Sequence, residues 1–137
     1  MDKFFLDPFI YNKIKSDNDP DLKDFDFNMD DSIFLCGVVD DEPIGIMFYK
    51  FTGSFWRCHP VVLPKYRRYS YIFIKLSLKW FWENVEVDKL YTLIPEYFPN
   101  VLKFAKYMGF KLIDTVEGSF VRNGESFKES LLILERP

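Results

Sequence analysis

From Val61 to Trp82 the chain reads VVLPKYRRYSYIFIKLSLKWFW: an apolar run closed by Pro64, a basic and aromatic stretch, then a long run rich in bulky side chains. Within that last run Ile72, Phe73, Leu76 and Trp80 share one face at helical spacing, whereas Ile74, Leu76 and Leu78 alternate with Lys75, Ser77 and Lys79 as a strand would. Length decides. From Ser70 to Glu83 there are about fourteen residues, well beyond a usual strand of about five or six, so a helix is predicted there. Ser70 is its expected N-cap, and Trp80 is expected to be largely buried against a sheet.

The remaining elements follow from local patterns. LDPFIYNKIKS reads as a first helix, with Asp7 as N-cap and Pro8 at the first helical position. SDNDPDLKDFDFNMDD is acidic and irregular, a long loop or a short second helix. SIFLCGVV and IGIMFYKFTG flank a tight polar turn and form an antiparallel hairpin. FWRCHPVVL adds a third strand, where Pro60 lacks the N–H a ladder needs, so a bulge or a splayed pairing is expected. KLYTLIPEY is the next strand, and PNVLKFAKYMGF a helix closed by Gly109. FKLIDTVEGSF and ESLLILER are the last strands, joined through RNGE, and the final strand, expected to be exposed, and the acidic N-terminal third are the two candidate interfaces.

A chain of 137 residues with 48% hydrophobic and 20% aromatic side chains supports one packed domain, residues 1–137. Cys36 and Cys58 show no CxxC spacing and His59 is the one histidine, so neither a disulfide framework nor a metal site is indicated. A reducing, cytoplasmic location is the simpler reading. No signal peptide or membrane span is expected, since no apolar run approaches about 18 residues. The net charge of −3 is unevenly placed: residues 1–42 carry twelve acidic and four basic side chains, residues 43–82 seven basic and none acidic. A cationic middle in an acidic protein suggests a local anion site; the alternative is that these cations only balance neighbouring acids.

The order of elements, with VLPKYRRYSY at one end and PNVLKFAKYMGF at the other, resembles the GNAT (Gcn5-related N-acetyltransferase) family over roughly Ser32 to Leu134. The resemblance implies an α+β fold, a central mixed and mostly antiparallel sheet with helices on both faces. In that family the motif V-x-P-x-Y-R-G-x-G-x-G turns a strand into a helix whose N-terminal amides hold the pyrophosphate of coenzyme A. Val62, Pro64, Tyr66 and Arg67 match it, while Arg68, Ser70 and Ile72 replace the glycines. Val62, Arg67, Arg68 and Ser70 are thus implied acetyl-CoA contacts, with arginine charge partly substituting for close backbone approach. Asn100 lies near the family's pantetheine contact and is also a candidate helix cap.

The family's second motif carries a tyrosine that protonates the departing thiolate. Aligning on Phe104, Gly109 and Phe110 puts Ala105 there, and Tyr107, about 200° further round a helix, does not replace it. For a general base the candidates are Glu96, just past the fifth strand, and His59, on the strand before the basic turn. Each has a plainer reading, a solvated loop-end charge and a hydrogen-bonded core histidine.

The chain also looks like small GNAT-like proteins of tailed bacteriophages linked to virion or head assembly. The expectation is therefore a GNAT-fold assembly or interaction factor with a degenerate acetyl-CoA site, a protein partner and little or no catalysis. The alternative is an acetyl-CoA-dependent N-acetyltransferase acting on an amine or protein. Nucleic-acid binding through Arg57, Lys65, Arg67, Arg68, Lys75 and Lys79 is disfavoured by the overall acidity.

Overall fold

A computed structural model of the chain describes residues 4–5 and 32–137. The strands are β1 (Phe4–Phe5), β2 (Ser32–Val39), β3 (Glu42–Phe51), β4 (Trp56–Val62), β5 (Lys89–Pro95), β6 (Lys111–Arg122) and β7 (Glu125–Glu135). The helices are α1 (Ser70–Asn84) and α2 (Pro99–Tyr107). The expected first helix and the acidic segment after it lie outside the described residues.

The strands form one mixed sheet in the order β1-β2-β3-β4-β5-β7-β6, antiparallel throughout except for the parallel contact of β4 with β5. The α+β class expected from the sequence is the one observed. Two of the three hairpins, β2–β3 and β6–β7, close through two residues at positive φ, Asp40 (49°) with Asp41 (63°) and Asn123 (54°) with Gly124 (77°), which matches the right-handed twist of the flanking strands. The final strand β7 is interior, between β5 and β6. Among the described residues β6 is the edge at this end of the sheet, since the crossover through α2 carries the chain past the position β7 then fills.

Pro60 shapes the middle of the sheet. Its pairing with Met47 of β3 runs in unbroken register, so no bulge forms. Leu63 donates its amide to the Ile44 carbonyl at 2.8 Å, and alternate strand residues point their N–H groups to opposite sides. The nitrogens of Cys58, Pro60 and Val62 therefore face β5. The β4–β5 ladder aligns only Arg57 with Tyr91, and Pro60 has no N–H to extend it. The second expectation, a splayed pairing, holds on this side.

Between β4 and α1 lies a 3-10 turn, Pro64–Tyr69, that runs straight into the helix. Tyr69 rather than Ser70 is the N-cap, without a side-chain cap bond, because the preceding turn already supplies helical geometry. The buried face of α1 is Phe73, Ile74, Ser77, Leu78, Phe81 and Trp82. It lies one stripe away from the expected face: Ile72 is exposed and Trp80 only half-buried. Two features select the observed stripe. Gly37 pairs with Gly45, and a Cβ on Gly37 would stand 2.6 Å from the Phe73 ring, so these two glycines open the slot Phe73 fills. Ser77, polar and therefore easily assigned to the surface, is hidden by bonding its hydroxyl to the Phe73 carbonyl at 2.8 Å.

α2 begins at Pro99 with Phe98 as N-cap, so Asn100 is not the cap but an exposed residue of the first turn. The helix ends as expected. Gly109 takes φ 107°, and the amides of Gly109 and Phe110 bond the carbonyls of Lys106 and Ala105 at 3.1 Å each. Both described helices contribute to one core with Leu35, Met47, Tyr49, Cys58, Leu90 and Leu132 of the sheet. Phe34, Ile46 and Phe48 form a second apolar cluster with Val61 and Leu63. No helix among the described residues is long and apolar enough to cross a membrane.

Candidate functional site

Beyond Arg57 and Tyr91 the parallel strands β4 and β5 separate, leaving backbone polar groups of each facing a gap. At its closed end Thr92 Oγ1 donates to the Cys58 carbonyl at 3.1 Å, replacing the backbone donor that a continued ladder would bring. Along β4 the gap is bordered by Val62, whose amide points into it, and the chain then enters the basic turn. An unpaired strand edge running into a cationic turn can bind an extended ligand that carries amides and ends in an anion.

The turn forms without glycine. None of residues 64–70 has a positive φ, so Arg68 and Ser70 fit there without strain. Its donors are differently arranged from a glycine-rich loop. The Ser70 amide bonds the Arg67 carbonyl, leaving the Ser70 hydroxyl rather than its N–H for a ligand. Arg68 folds back, with Nη1 on the Lys65 carbonyl at 3.3 Å and the guanidinium 4.7 Å from the Tyr69 ring centre. Arg67 is exposed, and its side chain makes no hydrogen bond or ion pair among the described residues. Of the two arginines singled out in the sequence, Arg68 holds the turn, while Arg67 is exposed.

The other sequence-derived candidates are only partly brought together. Because β4 and β5 are parallel, Glu96 and Asn100, both exposed just past β5, share the end of the sheet occupied by Val62, Arg67 and Ser70. The Glu96 amide bonds the Lys128 carbonyl at 2.8 Å, which fixes the backbone and leaves the carboxylate outward. His59 is half-buried and pairs with Phe48, so its side chain lies on the opposite face of β4 from Cys58 and Val62. Ala105 is packed into the core at 9% exposure, whereas Tyr107 is 74% exposed. No phenol occupies the position of the family's acid.

Cys58, at the closed end of the gap, is a free, buried thiol. Burial pushes its thiol up to about 12, against smaller lowering effects of Thr92 and Arg57, so at neutral pH it holds its proton. Two features escaped the sequence reading. One is the Thr92–Cys58 bond, whose only signal was the burial alternation of β5. The other is a surface groove beside α1, where Tyr71 and Tyr107 meet at a ring separation of 5.7 Å; no linear pattern links residues so far apart in the chain.

No family model matches the chain, and neither does any curated protein. Solved structures do match. A probable acetyltransferase from Staphylococcus epidermidis ATCC 12228 aligns with a TM-score of 0.78 at 14% identity, covering 98% of each chain. NAA60 of Arabidopsis thaliana, in complex with a bisubstrate analogue, gives 0.73 at 14% identity over 97% of each chain. A mutant form of the spermidine/spermine N-acetyltransferase SpeG from Vibrio cholerae gives 0.69 at 11% identity, over 79% of this chain and 69% of that one. The fold is the GNAT fold. At these identities the likeness carries the fold, and the chemistry of this GNAT-fold chain has to be argued from its own residues.

Proposed function

We propose that the chain binds an acyl-CoA thioester in the gap between β4 and β5 and passes the acyl group to an amine. The observation that carries this is the gap itself, opened by Pro60 and continued by a turn whose free cation is Arg67. The pantetheine arm of CoA has two amides that suit an unpaired strand edge, and its diphosphate suits Arg67 with the Ser70 hydroxyl. Acetyltransferases among the solved structures of this fold, one holding a bisubstrate analogue, support the assignment.

Transfer requires the amine nitrogen to attack the thioester carbonyl carbon, the C–S bond to break, and the amine to lose a proton. Glu96, at the same end of the sheet, accepts that proton directly or through water. With Ala105 in place of a tyrosine, the thiolate takes its proton from solvent. A thiolate of pKa about 8.5 leaves without help, so the missing acid slows the step by about 10² to 10⁴ without abolishing it. His59, on the far face of β4, has no part in this scheme.

Calorimetry with acetyl-CoA on the intact chain and on Arg67→Ala tests the binding step; the variant is expected to bind about tenfold more weakly. Absence of heat and of a thermal shift at millimolar acetyl-CoA would refute it. The buried Ala105 favours a second reading, a GNAT-fold interaction factor such as a virion or head assembly protein that has lost catalysis. Thiol release with a panel of amines separates the two: Ala105→Tyr is expected to speed an acyltransferase and to leave an assembly factor silent.

A further inference from the structure

Tyr49 of β3 stacks on Phe81 of α1 and pairs with Cys58 of β4. Their neighbours Lys50 and Arg57, themselves directly paired, therefore point to the face of the sheet opposite α1. The row continues on β5, where Tyr91 aligns with Arg57, and on β2, where Ser32 pairs with Lys50. Two half-buried cations thus stand side by side between uncharged neighbours. Neither makes a hydrogen bond or ion pair among the described residues, and like charges directly opposite one another weaken a sheet. An aromatic pair adjoins them. The ring of Phe55, 37% exposed, lies 4.8 Å from that of Tyr91 at 57°. The Thr52 amide and hydroxyl both bond the Phe55 carbonyl at 2.9 Å, which holds the turn from which Phe55 projects.

A single carboxylate would leave one of the two cations uncompensated. A phosphate monoester carries about −1.5 to −2 at pH 7, and a guanidinium meets two of its oxygens at once. The rings of Tyr91 and Phe55, on the Arg57 side, suit a planar substituent on that phosphate. We infer that this face of the β3–β4 hairpin is a second anion site, which takes a phosphate monoester of a planar group: the phosphate between Lys50 and Arg57, the ring against Tyr91 and Phe55. It lies at the opposite end of β4 from Val62 and the basic turn, and it stands independently of the CoA reading of the gap.

The test is calorimetry with inorganic phosphate, phenyl phosphate and adenosine monophosphate on the intact chain, Lys50→Met and Lys50→Glu, with melting temperatures as the folding control. The intact chain is expected to bind phenyl phosphate or adenosine monophosphate about tenfold more tightly than inorganic phosphate. Whichever of the two binds more tightly names the source of the ring, aryl or nucleoside, and either result supports the site. Lys50→Met is expected to weaken that binding about tenfold. Lys50→Glu, which sets a carboxylate opposite Arg57, is expected to abolish it while melting no lower than the intact chain, because a like-charge pair becomes an ion pair. Absence of heat with all three ligands, equal affinity for inorganic phosphate and both esters, or binding that is unchanged in either folded Lys50 variant overturns the assignment.

Discussion

The phenol of Tyr49 is fully buried on β3, stacked on Phe81 at a ring separation of 4.4 Å, and its hydroxyl has no hydrogen-bond partner among the described residues. A hydroxyl taken from water without a replacement bond costs stability, whereas the ring contributes contact area that phenylalanine would keep. Tyr49→Phe is therefore expected to raise the unfolding free energy by about 1 kcal/mol in urea melts; a loss of stability would show that the hydroxyl has a partner after all. Tyr49 pairs across the strands with Cys58, and burial raises both groups, Tyr49 with a further rise from Cys58. A thiol ordinarily near 9.0 but held at about 12 in the native state keeps its proton where the unfolded chain gives it up. Stability is then unaffected by this group below pH 9 and falls as pH rises above it, by up to about 1.4 kcal/mol per pH unit. Urea unfolding from pH 7 to 10.5 reads that slope, and Cys58→Ala is expected to flatten it.

At the scale of elements, α1 explains what the sequence disclosed and what it hid. Its extent was legible because about fourteen continuous residues cannot be one strand, and the end of α2 was legible because Gly109 takes the backbone conformation that glycine favours. Its buried face was not legible: two adjacent apolar stripes compete, and the choice lies with Gly37 and Gly45 on distant strands. Of the candidate site, the Pro60 splay could be read from local chemistry, while the fold-back of Arg68 and the bonding of the Ser70 amide to the Arg67 carbonyl depend on a 3-10 turn that no capping pattern announces. The observed face makes a sharp contrast. Trp82, 8% exposed and in edge contact with Phe81 at 5.4 Å, should cost about 3–5 kcal/mol on replacement by alanine, and half-buried Trp80 distinctly less. Equal losses in thermal melts would restore the face read from sequence. Arg136 bonds the Trp82, Val85 and Val87 carbonyls, which joins the end of α1 to the segment after β7. Arg136→Ala should lower stability by about 1–3 kcal/mol, since charged donors to helix-end carbonyls are lost. The β6 edge leaves Leu112, Ile113 and Val116 exposed, but the register breaks at Ile113 and Asp114 Oδ1 accepts the Thr115 amide at 2.7 Å, features that discourage strand addition.

On the scale of the whole molecule the sheet has two parts, β1 to β4 and the trio β5, β7 and β6, linked directly through one aligned pair and the Thr92–Cys58 bond. A seam so sparsely bonded is where local opening should be easiest. A ligand seated along it would stabilise the native state by RT ln(1 + [L]/Kd), about 2.7 kcal/mol at a hundredfold excess over Kd. Amide exchange can place that effect. The Leu63 amide bonds the Ile44 carbonyl at 2.8 Å, so it should be protected with or without ligand. The Val62 amide, one residue earlier and pointing into the gap, has no ladder partner on β5. It should exchange rapidly in the free protein and slow sharply when CoA is added, while Leu63 changes no more than global stabilisation requires. The neighbouring pair removes differences in depth and strand position, so a selective change at Val62 can arise only on the β5 side. Protection of Val62 before any ligand is added would mean that the seam is closed in solution, and equal slowing of the two amides would place the ligand elsewhere.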